Sequence, residues 1–287
     1  MVDTRMNIRN HIAKNNGRWH CPKLEELILL WEKAQHNYGI SFMEFGKANR
    51  WPDVTSIFNR KVKQRLIDSL RYHSQANRKL EKYPQNSFNH VVSLCFLAAQ
   101  VLAKVNPKLK TPLDTELLMK SFMIHNIAKG LGMRDLPYEK KTVQDDIKEY
   151  KAVKTFLKNQ CAFASDQDRL LVEKIYLLQF CSGNIKAWPL VARNLMNACL
   201  RDYQLEVVWF KFLERLDYLI YAAEQYVRFE NLELIAKIAK VQVPLIRSLK
   251  KDHPDLCRVW TPEVNDYFCG FIPAEQPAEN SFTTIAV

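Results

Sequence analysis

The chain has 287 residues, of which 47% are hydrophobic and only 7 are glycine, a composition typical of a well-packed helical protein. No apolar run reaches the length of a membrane span, and residues 1–5 lack the apolar core of a signal peptide, so we expect a cytoplasmic protein without a membrane partner. The seven cysteines show no C-x-x-C spacing, which argues against a disulfide framework or a zinc ribbon.

The formal net charge of +11 is concentrated at one end of the chain. Residues 1–110 hold 19 basic and 8 acidic side chains, which leaves 23 of each sign in residues 111–287. A basic field of this kind would attract phosphate-bearing ligands, including nucleic acid bound through residues 1–110. An ordinary solvated, lysine-rich surface has the same composition, so charge alone does not decide between them.

Hydrophobic periodicity predicts an all-α fold in three parts. Residues 1–84 are expected to form a basic, helical N-terminal extension that includes an amphipathic helix over 55–82. Residues 85–252 are expected to form the helical core, beginning with a nearly all-apolar, central helix at 87–105 whose expected N-cap is Ser87. Further helices are predicted at 114–129, 139–160, 167–182, 186–200, 203–229 and 231–251. Residues 253–287 are expected to form a C-terminal segment that ends in a disordered tail.

Two histidines and one aspartate fall on the predicted apolar helices. His90 lies on the helix at 87–105, and His125 lies in the final turn of the helix at 114–129. Asp217 lies among apolar residues of the helix at 203–229, where a lone carboxylate needs a partner that a metal ion would supply. Ligands for a divalent metal in an all-helical protein come from different helices facing one interior. The alternative is that each histidine is a hydrogen-bonded core residue.

The stretch 122–130, FMIHNIAKG, resembles the metal-binding helix of HD-domain phosphohydrolases, which carries an apolar run, His-Asp and often Lys-Gly. Residues 86–228 resemble the helical core of that superfamily, and the turn at 134–137, RDLP, resembles its small 5′-deoxynucleotidase-like members. The resemblance implies an HD-domain helical bundle and one divalent ion (Mn, Co, Mg, Fe, Ni or Zn). Its ligands would be His90, His125, residue 126 and Asp217. Asn126 stands where the family has aspartate.

The same resemblance implies roles for several neighbouring side chains. Asp135 would orient or deprotonate the attacking water, and Lys129 would reach a phosphate oxygen, although the nucleotidases usually carry glutamate at that position. The substrate phosphate would be held by Arg78, Lys79 and Lys82. Asp135 is otherwise a turn residue or an N-cap, and Lys129 otherwise favours the end of its helix through the helix dipole.

Asn126 decides between the functional hypotheses. An amide in place of a carboxylate removes one negative charge from the metal site and lowers its affinity for hard divalent ions. The sequence therefore predicts a metal-dependent phosphohydrolase acting on a nucleotide or related phosphoester, attenuated or inactive as written. The alternative is a catalytically degenerate HD protein that binds or senses nucleotides or nucleic acid. A helical interaction protein with a chance motif is the third hypothesis, and assembly into a homo-oligomer is left open.

Overall fold

A computed structural model describes residues 57–71, 85–136, 140–161, 163 and 165–272. This described part is helical, and pairing between extended segments within it is limited to an isolated bridge between Leu70 and Asn86. The predicted all-α class is therefore confirmed. The helices are α1 (Arg60–Asp68), α2 (Ser87–Val105), α3 (Thr115–Ile124), α4 (Ile127–Gly130), α5 (Val143–Gln160), α6 (Asp166–Leu177), α7 (Leu190–Asp202), α8 (Gln204–Phe229), α9 (Leu232–Asp252) and α10 (Pro262–Cys269).

The centre of the fold is formed by α2, α3 and α8, which contact one another, while α9 packs along α8. Helix α2 is buried on most sides, as its apolar sequence predicts. Contrary to the expectation from the sequence, the stretch Ser87–Lys108, which includes α2, is by length and composition apolar enough to cross a membrane. Within it, 61% of the most apolar 18-residue window is buried in the fold. The N-cap of α2 is Asn86, whose side chain accepts a hydrogen bond from the Asn89 N–H at 2.8 Å. The predicted Ser87 cap is therefore wrong by one residue.

The predicted helix at 114–129 is interrupted at its most informative residues. Helix α3 ends at Ile124 with His125 as its cap, and Asn126 leaves helical geometry at φ −96° and ψ 9° before the short helix α4. His125 and Asn126 therefore lie in a turn between two helices. The prediction that they share the last turn of one continuous helix is wrong, because the Asn126 backbone breaks it.

Helix α1 packs against α4, and Gly130 makes their close approach possible. A Cβ atom at Gly130 would lie 2.7 Å from Val62 Cγ1 and 3.0 Å from the Val62 carbonyl oxygen, closer than packed atoms approach. Residues 57–71 are therefore fitted to the core.

The predicted helix over 55–82 ends at Asp68, and an extended segment follows it. The Arg71 N–H donates to the Gln85 carbonyl at 2.9 Å, and the Ser87 N–H donates to the Ser69 carbonyl at 2.8 Å. This pairing fixes Arg71 beside the start of α2. The predicted phosphate contacts Arg78, Lys79 and Lys82, most of residues 1–84 and the predicted tail at 273–287 lie outside the described residues. The boundary at residue 84 stays a prediction.

Candidate functional site

A cavity of about 520 Å³ lies between the loop after α4 and helices α5, α8 and α9. Asn126, Lys129 and Asp135, three of the residues singled out in the sequence, line it. Its charged lining consists of five basic side chains, Arg71, Lys129, Lys141, Lys211 and Arg215, and four acidic ones, Asp135, Asp146, Glu149 and Glu214. The cavity is therefore strongly polar and carries a small excess of positive charge.

The two predicted histidines and Asp217 lie in contact in the core beside this cavity. Asp217 Oδ2 lies 2.7 Å from His90 Nδ1, and both side chains are fully buried. His90 Nε2 lies 3.2 Å from His125 Nε2. On its other side, His125 Nδ1 lies 2.7 Å from the Phe122 carbonyl oxygen. Side chains from three different helical segments are thus brought together, as the sequence spacing suggested.

The hydrogen-bond partners fix which ring nitrogens carry protons. A carbonyl oxygen only accepts, so His125 Nδ1 carries a hydrogen and its Nε2 presents a lone pair. Burial, and then the neighbouring His90, lower the pKa of His125 to about 3, so His125 is the neutral partner. Asp217 lies against His90 Nδ1, so the two rings present their Nε2 atoms to each other. Because His125 Nε2 carries the lone pair, a direct hydrogen bond between the rings requires a hydrogen on His90 Nε2.

Asp217 occupies the ring nitrogen of His90 that points away from His125. A carboxylate on this side orients an imidazole and increases its basicity, which is the usual arrangement behind a metal-bound histidine. In this geometry Asp217 supports His90 instead of joining it in one ligand set.

Asn126 faces a guanidinium group. Arg71 Nη1 donates to Asn126 Oδ1 at 3.4 Å and to Asp135 Oδ1 at 3.3 Å, and all three side chains are buried. The guanidinium carbon lies 5.1 Å from the ring centroid of Tyr218, a ring that also stacks on His90. Because a guanidinium can only donate, Asn126 must turn its oxygen towards Arg71. The Asn126 amide nitrogen has no hydrogen-bond partner among the described residues.

The divalent ion implied by the family resemblance does not fit this arrangement. Two adjacent imidazole nitrogens would suit it, but Asp217 stands on the far side of His90, and the Asn126 oxygen is bonded to Arg71. The remaining polar group of Asn126 is an NH2 donor, which cannot ligate a cation. Within the described part of the chain, no group of three or more His, Cys, Asp or Glu side chains is placed to hold a metal. Metal ligation by His90, His125, Asn126 and Asp217 stays a prediction that requires these contacts to rearrange.

Lys129 and Asp135 belong to a row of alternating charges, here called the ion chain: Arg71, Asp135, Lys129, Glu149, Lys141 and Asp146. Lys129 Nζ contacts Glu149 Oε1 and lies 3.8 Å from Asp135 Oδ1. Lys141 Nζ lies 3.1 Å from Glu149 Oε2 and 2.7 Å from Asp146 Oδ1. Burial lowers the pKa of Lys129, against the opposing effect of Glu149. The catalytic roles predicted for Asp135 and Lys129 stay predictions, since each is engaged in ion pairs here.

Sequence reasoning missed four residues of the site. Arg71 and Gln179 carried no recognisable signal, and Glu149 lies on the helix predicted at 139–160 without any feature that marks it as a site residue. Gln179 Nε2 donates to the His125 and Tyr176 carbonyls, each at 3.1 Å.

Glu214 did carry a signal, because it lies one helical turn before Asp217 and so shares its face of α8. Although burial opposes its ionisation, the nearby Lys211 charge lowers the pKa of Glu214 to about 2. Glu214 is therefore an ionised group close to the histidine pair.

No family model, curated protein or solved structure matches this chain. The resemblance to HD-domain proteins therefore rests on the motif residues of the sequence and stays a prediction.

Proposed function

We propose that this protein binds a nucleotide or a similar small phosphoester in the cavity beside Asn126, as a catalytically degenerate relative of HD-domain hydrolases. The cavity volume of about 520 Å³ lies within the range of about 300–1,000 Å³ common for small-molecule sites. Its five basic side chains come from four segments of the chain, since Lys211 and Arg215 share α8, and they line one space. Such convergence is what recognition of a compact, multiply charged anion requires.

The observation that carries the proposal is a pair of unused hydrogen-bond donors at this cavity. Arg71 Nε and Asn126 Nδ2 are buried and have no hydrogen-bond partner among the described residues. A buried donor without a partner costs about 1–3 kcal/mol, so a ligand that supplies acceptor oxygens gains that free energy on binding. A phosphate group offers several such oxygens.

Three features favour binding over turnover. Asn126 replaces the carboxylate that the resemblance leads one to expect at the metal. Lys129 stands where the nucleotidases usually have glutamate, and it is held by Glu149. Asp135, the predicted group for the attacking water, is engaged by Arg71 and Lys129.

The direct test is a binding screen on the purified chain. Thermal shift and calorimetry would cover nucleoside mono-, di- and triphosphates, pyrophosphate and inorganic phosphate, each with and without Mn²⁺ or Mg²⁺. We expect at least one nucleotide to raise the melting temperature without release of phosphate. If no ligand binds under any of these conditions, the proposal fails.

The matched variants are Arg215→Met, in the cavity, and Arg201→Met, on the surface with 74% of its side chain exposed. Arg215 lines the cavity beside Glu214 and donates to the Gln242 side-chain oxygen at 2.8 Å. A hydrogen bond to a charged group is worth about 1.5–3 kcal/mol, so Arg215→Met should weaken binding by about tenfold or more. Arg201→Met should leave affinity unchanged. Equal affinities for the two variants would place the ligand elsewhere.

A metal-dependent phosphohydrolase is the second candidate, and the histidine pair favours it. The two Nε2 atoms lie 3.2 Å apart with a carboxylate behind one of them, as in a supported pair of metal ligands. Phosphate release with Mn²⁺, Co²⁺ or Mg²⁺ would be compared for this chain and its Asn126→Asp variant. Turnover by either form would favour this candidate, and turnover by neither would favour the binding protein.

A further inference from the structure

We infer that Arg71 is the built-in cation of this site: its guanidinium takes the place of a divalent metal ion, and ligand binding is independent of metal. The inference rests on the proposed function only in taking the ligand to be an anion. It concerns which cation lies beside the buried oxygens of Asn126 and Asp135. The metal-binding part of its test does not require the ligand to be known.

Arg71 contacts the oxygens that a metal ion at this site would need. One guanidinium nitrogen bonds both to the Asn126 oxygen and to an Asp135 oxygen, at 3.4 and 3.3 Å. The first oxygen belongs to residue 126, which follows His125 where the family has aspartate. The second belongs to the turn at 134–137. A metal ion bound through Asn126 would need the same amide oxygen.

The charges of the ion chain balance one another. The ion chain contains three basic and three acidic side chains, so it is neutral as a whole. Asn126 adds no charge to it. An aspartate at position 126 would leave one negative charge in excess, which a divalent cation would compensate. With asparagine, Arg71, Lys129 and Lys141 already match the three carboxylates of the ion chain, so this chain is compensated without a metal ion.

Arg71 is fixed in place before any ligand arrives. Its backbone N–H is paired with Gln85, and its guanidinium lies over Tyr218, the ring that stacks on His90. The segment that carries it is docked through α1 against Gly130. An arginine is always protonated in proteins, so the cation it provides does not depend on metal supply.

The test compares metal binding by the wild-type chain and by two double variants. In Arg71→Met/Asn126→Asp the guanidinium is removed and a carboxylate restored. Arg65→Met/Asn126→Asp is the matched control, because Arg65 is an exposed arginine on α1. Melting temperature would be recorded in EDTA and in excess Mn²⁺, together with electron paramagnetic resonance of the bound ion.

We expect the wild-type chain to melt at the same temperature in EDTA and Mn²⁺, and to bind AMP with the same affinity within twofold in both. Mn²⁺ should raise the melting temperature of Arg71→Met/Asn126→Asp by at least about 4 °C, because an ion that binds only the folded state stabilises it. The matched control should respond far less, because Arg71 remains beside residue 126.

Micromolar Mn²⁺ binding by the wild-type chain, or a fall in its melting temperature or AMP affinity in EDTA, would overturn the inference. If Arg71→Met/Asn126→Asp does not fold, the wild-type comparison of EDTA with Mn²⁺ still decides. If AMP and every other ligand fail to bind, the proposed function fails, whereas the Mn²⁺ titration still tests the role of Arg71.

Discussion

The two sides of the cavity hold buried charge in different ways. On the histidine side, His90, His125 and Asp217 are no more than 3% exposed and lie among aromatic rings. The ion chain runs outwards from Lys129, which is 4% exposed, to Lys141 and Asp146, which are 23% and 25% exposed. On the histidine side, water cannot replace a lost partner. Along the ion chain, neighbouring charges and solvent can replace one. Equal numbers of ion contacts therefore need not have equal effects on stability.

The largest effect is expected from breaking the histidine side. Asp217→Ala removes the carboxylate from His90 in a fully buried setting, and the free energy of unfolding should fall by about 3–5 kcal/mol. Urea unfolding would measure the change. Asp202→Ala is the control, because this surface carboxylate is screened by solvent and its loss should have a far smaller effect. A loss below 1 kcal/mol in Asp217→Ala would show that the histidine side is not sealed.

A smaller loss is expected from the buried part of the ion chain. Lys129→Met keeps the length of the side chain but removes its charge, while Asp135 retains Arg71 and Glu149 retains Lys141. Because both carboxylates keep a cation, the loss should be about 1–3 kcal/mol in the same urea experiment. A loss as large as that of Asp217→Ala would remove the distinction between the two sides.

Gln179 links the backbone of the histidine side to the cavity. Its removal therefore tests how strongly this hydrogen-bonded link stabilises the histidine side. Gln179→Met keeps the volume but deletes the donor to the His125 and Tyr176 carbonyls, which should cost about 1–2 kcal/mol. Gln64→Met, which loses one exposed hydrogen bond to Asp68, should cost only about 0.2–0.5 kcal/mol. Equal losses in the two variants would mean that Gln179 does not hold the histidine segment.

The smallest effect is expected at the outer end of the ion chain. Lys141→Met removes a partly exposed cation, and the free energy of unfolding should fall by no more than about 1 kcal/mol. Screening by salt should reduce this difference further in 1 M NaCl. A salt-independent loss above about 2 kcal/mol would show that the outer end is as protected as the inner one.

The sequence was sufficient where periodic burial determines structure. The helix predicted at 203–229 is observed at Gln204–Phe229, and the helix predicted at 87–105 is observed at Ser87–Val105. The contact of His90, His125 and Asp217 could be anticipated because isolated polar residues on apolar helices must meet a partner inside. These features all follow from hydrophobic pattern.

The rest of the site depends on features without a periodic signal. Arg71 is placed by a two-residue backbone pairing with the start of α2, and such pairing leaves no pattern in a single sequence. The turn at Asn126 is a change in one pair of backbone angles. Glu149 lies on an amphipathic helix, where a charged residue is normally read as solvated, yet it is only 4% exposed. Sequence reasoning therefore anticipated the histidine side and missed most of the ion chain.

The close contact at Gly130 has an evolutionary consequence. A side chain there would displace Val62 and with it α1, whose following residues carry Arg71 into the cavity. A glycine on one segment and an arginine on another, 59 positions earlier in the chain, are thus subject to one constraint. Among relatives, we expect chains without Gly130 to lack Arg71 as well, and a carboxylate at position 126 to occur mainly in those chains.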